Sequence, residues 1–216
     1  MTKTGAPVSV VCFGDSLTWG FKPGVRTRYG HDCRWTRLLQ CDLGTDYYVL
    51  EEGVNGRTTV FEDPVRGDKN GLQHLDTIRK THMPIDVMMI MLGTNDLQSR
   101  FNMTAGAIGF AMGRILDAAT RVTDDPEGRA PKILLVAPPP LGDFVNSPLE
   151  SVFNSTSIAE SKKLKDIYAV LADQYGAAFF DAGSIVTASK VDSVHWDADM
   201  MEPFAKAIAA EVKKLA

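Results

Sequence analysis

The chain of 216 residues has no apolar stretch long enough for a secretory leader or a membrane span. Its first residues, MTKTGAPVSVVCFGDS, reach glycine and aspartate before a hydrophobic run of that length can form. We therefore expect a cytoplasmic protein with no membrane partner.

Cysteine is scarce as well, with only Cys12, Cys33 and Cys41 in the sequence. Their number is odd, they are scattered and they form no CxxC pair, which argues against a disulfide framework and against a zinc site. His31, His74 and His82 also lie far apart in the sequence, without the spacing of metal ligands. We expect buried or inert thiols and no metal.

An excess of positive charge is missing too. The sequence has 23 Lys and Arg residues against 27 Asp and Glu residues, which gives a net charge of -4. Such a chain has no basic face for phosphate backbones, so nucleic acid is excluded as a partner and small substrates remain. With 44% hydrophobic residues, the chain can close one sizeable core, and we expect a single domain over residues 1–216.

Short apolar runs recur along the sequence, and each is followed by a loop and then a segment with helical spacing. This alternation is typical of a parallel sheet whose strands are joined by crossover helices. The five predicted strands cover residues 8–13, 47–51, 85–92, 133–137 and 178–181. Their β-branched and apolar residues suit strands that are buried on both faces.

Four segments between and after these strands have apolar residues at intervals of three and four, as helices covering a sheet require. They span residues 34–43, 105–122, 157–175 and 201–215. Gly44 and Gly176 follow two of them as expected C-caps. Residues 21–32, 58–72, 97–104 and 138–154 are predicted to be loops, and loops this long are often functional. Asp124 and Asp125 fall in a further loop and are predicted to be solvated.

In a doubly wound α/β sheet, ligands bind at the carboxyl ends of the strands, near the reversal of strand order. Strand one ends in FGDSLTWG, which places Ser16 just past a strand tip with Gly14 before it to permit a tight turn. Ser16 is therefore a candidate nucleophile. Taken alone, the motif is equally explained by a turn or a helix cap.

Near the other end of the chain, Asp192 and His195 share the loop VDSVH before the last helix. A serine hydroxyl needs a base to take its proton, and an imidazole works best when a carboxylate fixes its tautomer. An aspartate three residues before a histidine lets one loop supply both groups. The alternative is an aspartate that caps the last helix with the histidine packed beside it.

Two further segments end strands on the same side of the predicted sheet. MLGTND brings the amide of Asn95 to a strand tip, and EEGVNGRT offers the backbone N–H of Gly56. A negative charge developing on a substrate oxygen needs two or three such donors in place. Both segments are also explained as simple turns. Four independent segments meeting at one edge make coincidence the weaker explanation.

These four blocks resemble the SGNH or GDSL hydrolases: GDSLTWG with Ser16, EEGVNGRT with Gly56, GTND with Asn95, and VDSVH with Asp192 and His195. The similarity runs from strand one to the last helix and is greatest to the bacterial arylesterase, acyltransferase and carbohydrate acetylesterase branch. Some relatives have alanine at the position of Gly56, and residues 21–32 and 143–156 do not follow the relatives' pattern.

The resemblance implies a flavodoxin-like three-layer α/β/α sandwich that works without a cofactor and hydrolyses short-chain esters of small molecules. It implies an oxyanion hole formed by the backbone N–H groups of Ser16 and Gly56 and the side chain of Asn95. It also implies transfer of acyl groups to alcohols in some members, and assembly into homo-oligomers. Asp15, next to the nucleophile, is expected to be a structural hydrogen-bond acceptor.

Three bulky residues flank the expected nucleophile and base: Leu17, Trp19 and Trp196. They either line the substrate pocket or pack behind it; pocket lining predicts a crowded site that favours acetyl esters. The main hypothesis is a serine esterase that acts through an acyl-enzyme. The alternatives are a thioesterase or lysophospholipase of the same fold, or a flavodoxin-like binding module without catalysis.

Overall fold

Five parallel strands form one sheet in the computed structural model, which describes residues 5–122 and 129–216. In spatial order the strands are β2, β1, β3, β4 and β5. Their bounds are β1 Val8–Gly14, β2 Tyr47–Gly53, β3 Val87–Met91, β4 Lys132–Ala137 and β5 Ala178–Asp181. All five lie at the predicted places in the sequence. The prediction for Asp124 and Asp125 falls outside the described residues.

Seven α-helices accompany the sheet in the described part of the chain. They are α1 Ser16–Trp19, α2 Trp35–Leu43, α3 Gly71–His82, α4 Ala105–Ala119, α5 Ser155–Ser161, α6 Leu164–Tyr175 and α7 Met201–Leu215. Helices α3, α4 and α6 contribute to one hydrophobic core, and α2 and α7 contribute to another. The result is the predicted flavodoxin-like three-layer α/β/α fold.

The two cores lie on opposite faces of the sheet because side chains alternate along each strand. In β1, Val11 and Phe13 belong to the core under α3, α4 and α6, whereas Val10 and Cys12 belong to the core under α2 and α7. Every residue of β3 is buried, as expected for a strand covered on both faces.

The structure corrects the predicted helices in three places. Helix α3 was not predicted, because its apolar residues are few and form only a narrow face. Asn70 caps this helix: its side chain accepts from the N–H of Gln73. The predicted helix 157–175 is two helices, broken after Ser161, whose Oγ accepts from the N–H of Leu141. Helix α4 ends at Ala119 rather than at residue 122.

The structure locates the two predicted helix C-caps and the three cysteines. Gly44 and Gly176 have φ of 76° and 62° and end α2 and α6, which confirms the predicted C-caps. All three cysteines are free, and Cys12 is buried as expected, but Cys41 is exposed. No helix among the described residues is long and apolar enough to cross a membrane.

The strand order reverses between β1 and β3, which lie side by side although β2 separates them in the sequence. Connections from these two strands leave in opposite directions, so a crevice forms at their carboxyl ends. Ser16 follows β1 and Asn95 follows β3. The fold therefore brings two of the predicted site residues to the place where ligands bind in such sheets.

An aromatic cluster under α7 holds the second core together. The ring of Phe204, which is fully buried, lies 5.0 Å from Trp35, 4.7 Å from Trp196 and 6.2 Å from Phe180 between centroids. Phe204 thus connects α7 to α2, to β5 and to the segment that carries His195.

Replacing Phe204 tests this cluster. We expect Phe204→Ala to lower the free energy of unfolding by about 3 to 5 kcal/mol, because it leaves a cavity that the neighbouring rings cannot fill. Denaturant unfolding measures the change. Phe110→Ala, at a phenylalanine that is 84% exposed, is the matched control and should stay within about 0.5 kcal/mol of the parent. Equal losses in both variants would contradict this account of the core.

Candidate active site

Ser16 begins the short helix α1 directly after β1. Asp15 caps this helix: its Oδ1 accepts from the N–H of Leu17 at 2.9 Å. The turn is tight because α1 lies against β2, where a Cβ on Gly53 would come within 2.3 Å of the Trp19 nitrogen. This packing holds the Ser16 side chain at the sheet edge, and Ser16 lines the cavity described below.

The structure brings Ser16 together with the predicted Asp192 and His195, although 179 positions separate Ser16 from His195. Nε2 of His195 lies 2.9 Å from Oγ of Ser16, and Nδ1 of His195 lies 2.7 Å from Oδ2 of Asp192. Both contacts are within hydrogen-bond range. The imidazole can therefore accept the Ser16 proton at Nε2 while its Nδ1–H donates to the carboxylate.

The second oxygen of the Asp192 carboxylate holds the loop itself. Oδ1 accepts from the backbone N–H groups of Val194 at 3.1 Å and His195 at 2.9 Å. Burial alone would raise the pKa of Asp192, but the hydrogen bond and charge of His195, with the two N–H donors, hold the pKa below its ordinary value. Asp192 therefore keeps its negative charge beside the imidazole.

Phe21 contacts the other side of the histidine. Its ring stacks on the His195 imidazole with a centroid distance of 4.3 Å and an interplanar angle of 27°. This contact could not be predicted, because Phe21 and His195 lie in loops at opposite ends of the sequence. Stacking restricts rotation of the imidazole and keeps its Nε2 directed at Ser16.

The amide of Asn95 is fixed by three neighbours. Its Nδ2 donates to Oδ2 of Asp15 at 3.2 Å and to the carbonyl of Arg57 at 3.1 Å, both long contacts. Its Oδ1 accepts from Nε2 of Gln98 at 2.9 Å. Asn95 also lines the cavity beside Ser16, so a ligand oxygen there can compete for the weakly held amide hydrogens.

Two buried carboxyl groups lie beneath the amide. Burial raises the pKa of Asp15 to about 7, helped by the charge of Asp96, while the Leu17 N–H and Arg57 act in the opposite direction. Burial also raises the pKa of Asp96 to about 6, against its hydrogen bonds from Thr59. Burial thus disfavours the ionised form of Asp15, which limits the negative charge near the cavity.

Gln98 belongs to a chain of hydrogen-bonded side chains, Asp63, Arg100, Gln98 and Asn95, which we call the polar relay and which the sequence did not predict. Its Oε1 accepts from Arg100, whose Nη2 lies 2.8 Å from Oδ2 of the fully buried Asp63. Gln98 is itself buried and donates to Asn95. The relay sets which end of the Asn95 amide accepts and which end is left to donate.

Gly56 lies beside the same cavity, in a backbone conformation that favours glycine. Its φ is +81°, and a Cβ at this position would lie 2.8 Å from Nη1 of Arg66. Other residues are strained at such a φ. This accounts for glycine at position 56 and lets the backbone come close to a bound ligand.

The cavity next to Ser16 has a volume of about 430 Å³. Its walls come from three of the long loops predicted from the sequence, to which no role had been assigned. They contribute Phe21 and Arg26 (loop 21–32), Arg66 (loop 58–72), and Leu149, Val152 and Phe153 (loop 138–154). Asn55, Gly56, Asn95, Gln98, Val194 and His195 complete the lining.

Leu17, Trp19 and Trp196 are not among the described residues that line this cavity. Leu17 and Trp196 are buried in the core under α2 and α7, where Trp196 packs on Phe204. The indole of Trp19 has Arg28 over its ring. Among the neighbours of Ser16 and His195, Leu17 and Trp196 therefore pack in the core, whereas Val194 lines the cavity.

The arrangement has the parts of a nucleophilic hydrolase. It offers a hydroxyl hydrogen-bonded to an imidazole, a carboxylate on the other nitrogen, and an amide and a glycine beside them. The described residues hold no cluster of three or more His, Cys, Asp or Glu that could bind a metal.

Comparisons with known proteins agree with this geometry. Residues 12–202 match the GDSL-like Lipase/Acylhydrolase family. The chain is 25% identical over 215 residues to an acetylxylan esterase of Xylanibacter ruminicola, and this match covers 95% of the chain but only 43% of that protein. The chain thus spans less than half the length of this curated relative.

Solved structures resemble the chain over their whole length. An aryl esterase of M. smegmatis superposes with a TM-score of 0.91 at 34% identity, covering 97% of this chain and 100% of the other. A carbohydrate acetylesterase from Sinorhizobium meliloti superposes with a TM-score of 0.90 at 36% identity and the same coverage. Family match and whole-chain similarity together show that the chain belongs to the GDSL-like lipase/acylhydrolase family.

Proposed function

We propose that this protein is a serine esterase that hydrolyses short-chain acyl esters, of the acetyl type, through an acyl-enzyme. One observation carries the proposal: Ser16, His195 and Asp192 form a continuous hydrogen-bonded row with distances of 2.9 and 2.7 Å beside a cavity. Membership of an acylhydrolase family and similarity to esterases that act on acetyl groups support it.

In the first half-reaction, Oγ of Ser16 attacks the ester carbonyl while Nε2 of His195 takes its proton. The tetrahedral intermediate collapses, the C–O bond to the alcohol breaks, and His195 returns the proton to the leaving oxygen. Water then attacks the acyl-enzyme with the same histidine as base, which releases the acid and restores Ser16. Asp192 stabilises the imidazolium that forms in both steps.

The oxyanion of each tetrahedral intermediate is proposed to bind to the Asn95 amide and to the backbone N–H groups of Ser16 and Gly56. The position of Asn95 supports this role, because its Nδ2 donates to the neutral carbonyl of Arg57 at 3.1 Å beside the cavity, and an oxyanion there would be a stronger acceptor. Donors fixed before reaction stabilise the transition state without reorganisation.

A short acyl group fits the apolar part of the cavity. Phe153 and Val194, which line it, are 4% and 5% exposed and belong to the hydrophobic core, so this wall is held by packing. We infer that this packed wall disfavours a long acyl chain, because the wall cannot shift without disturbing the core. Acyl transfer to alcohols, homo-oligomer formation and cytoplasmic location stay predictions from the sequence.

Single and double replacements of the proposed nucleophile and base test the mechanism. We expect Ser16→Ala and His195→Ala each to lower kcat on 4-nitrophenyl acetate by about 10⁶-fold, because the two groups act as a unit. The double variant should be little worse than either single one. Ser151→Ala and His31→Ala, at exposed residues, are the matched controls. Losses that multiply in the double variant would show independent roles and contradict the mechanism.

A second set of variants tests the relay from Gln98 to Asn95. We expect Asn95→Ala to lower kcat by about 10²-fold to 10³-fold with KM little changed, as for loss of one oxyanion donor. Gln98→Met keeps the size but removes the donor to Asn95 Oδ1, and we expect a fall in kcat of about 10-fold.

The control for this relay is a double-mutant cycle. If Gln98 acts through Asn95, adding Gln98→Met to Asn95→Ala lowers kcat no further. Gln73→Met, at an exposed glutamine of α3, should leave kcat unchanged. Additive losses, or a rise in KM alone, would show instead that Gln98 contacts the substrate directly.

Acyl-chain length tests the proposed substrate class. We expect kcat/KM to be highest for acetyl and propionyl 4-nitrophenyl esters and to fall by about 5-fold to 150-fold at octanoyl, because distorting a packed wall costs about 1 to 3 kcal/mol. Val152→Ala removes bulk from a partly buried wall residue and should move the preference toward longer chains. A parent enzyme that prefers octanoyl esters or thioesters would favour the lysophospholipase or thioesterase hypothesis.

A further inference from the structure

Among the described residues, the cavity beside Ser16 is lined by two arginines, Arg26 and Arg66, and by no aspartate or glutamate. This differs from the chain as a whole, which has a net charge of -4. The positive charge is therefore concentrated at the place where the substrate binds. Field lines from two guanidinium groups in a concave site attract anions more than a flat surface does.

Arg26 has no partner within the described part of the protein. It is exposed on the loop of residues 21–32 and makes no hydrogen bond or ion pair with any residue that the structure describes. Its neighbour Arg28 differs, since Arg28 donates to the carbonyl of Trp19 and lies 3.7 Å from Glu51. Arg26 is therefore available for a ligand, whereas Arg28 has a structural role.

Arg66 is only weakly neutralised. Its Nε lies 3.9 Å from Oδ2 of Asp63, and that same oxygen lies 2.8 Å from Nη2 of Arg100. One carboxylate thus faces two guanidinium groups, and Arg100 is the closer. The charge of Arg66 is left largely free to face the cavity.

The position of Arg66 relates this charge to the reacting atoms. Its Nη1 lies against the Cα of Gly56, close enough that a Cβ there would be 2.8 Å away. Since Gly56 is a proposed oxyanion donor, an anionic group held by Arg66 lies near the scissile ester. The apolar wall around Phe153 and Val194 suits the acyl chain, so the anionic group belongs to the alcohol part.

We propose that Arg26 and Arg66 form a subsite for an anionic group on the alcohol part of the substrate, so that the preferred substrates are acetyl esters of hydroxy acids or sugar acids. Guanidinium groups present paired N–H donors that match the two oxygens of a carboxylate. This inference rests on the proposed esterase function and names its substrate class.

A matched pair of substrates tests the subsite. 4-Acetoxybenzoate carries a carboxylate at neutral pH, and 4-acetoxybenzamide is its uncharged counterpart. The measured quantity is the ratio of their kcat/KM values, divided by the ratio of their rates with hydroxide to remove the effect of the leaving group. We expect this corrected ratio to favour 4-acetoxybenzoate by about 4-fold to 25-fold, because its carboxylate forms two partly exposed ion pairs with Arg26 and Arg66.

Variants of the two arginines should lower this ratio. We expect Arg26→Gln and Arg66→Gln each to reduce it by about 2-fold to 5-fold, and the double variant to bring it close to one. Salt at about 1 M should lower the ratio in the parent, because it screens exposed charges. Arg114→Gln, at an exposed arginine of α4, is the control and should leave the ratio unchanged.

Calorimetry with the Ser16→Ala variant separates this inference from the esterase function, since it measures binding without turnover. Tighter binding of 4-acetoxybenzoate than of 4-acetoxybenzamide, lost when Arg26 and Arg66 are also replaced, supports the subsite. Equal or weaker binding of 4-acetoxybenzoate, together with efficient hydrolysis of the 4-acetoxybenzamide ester by the parent, overturns the subsite and leaves the esterase proposal standing. A binding preference and a kcat/KM ratio that the double arginine variant leaves unchanged overturn it as well.

Discussion

The geometry of the site depends on how one buried carboxylate divides its hydrogen bonds. Asp192 uses Oδ2 for the imidazole of His195 and Oδ1 for the backbone of the loop that carries the same histidine. The ring and the chain that supports it are therefore oriented by one group. Ser193, at φ +66°, lies between them in the left-handed region, which closes the loop tightly enough for both bonds.

The rest of the active site is built from polar groups that neutralise one another under the sheet edge. Arg57 is buried, donates to the carbonyl of Gly14 at 2.8 Å and lies over the ring of Phe13, and burial lowers its pKa to about 10. Its positive charge faces the carboxyl groups of Glu52 and Asp15. Burial raises the pKa of Asp15, and that of Asp96 beside it. Partial protonation and pairing together keep this layer stable without solvent.

Much of the fold could be predicted because it depends on local patterns. Buried strands are apolar runs, and strand tips are marked by glycine, asparagine and aspartate, so the places of Ser16, Gly56 and Asn95 follow from the sequence. Asp192 and His195 could be predicted as a pair because only two residues separate them in one loop. Helix α3 was missed because its exposed face is strongly polar, and its apolar face of Leu72, Leu75 and Ile78 is narrow.

The cavity walls could not be predicted, because they depend on contacts between residues far apart in the sequence. Phe21 reaches His195, and Gln98 is held by Arg100 and Asp63, yet none of these contacts has a local pattern. From the sequence, the bulky neighbours of Ser16 and His195 could either line the pocket or pack behind it. The structure turns Leu17 and Trp196 into the core, because a strand tip and a tight turn present only alternate side chains to the crevice.

The separation between strand tips and loops has a consequence for how such an enzyme changes over time. The groups proposed to break the ester are held by the sheet edge, the turn after β1 and the hydrogen-bonded loop of Asp192. Most of the other residues that line the cavity belong to three loops, one between α1 and α2, one between β2 and α3 and one between β4 and α5. Loops of this kind tolerate changes in length and composition with little effect on the core. New specificities can therefore arise by exchanging one loop at a time while the reaction chemistry is inherited intact.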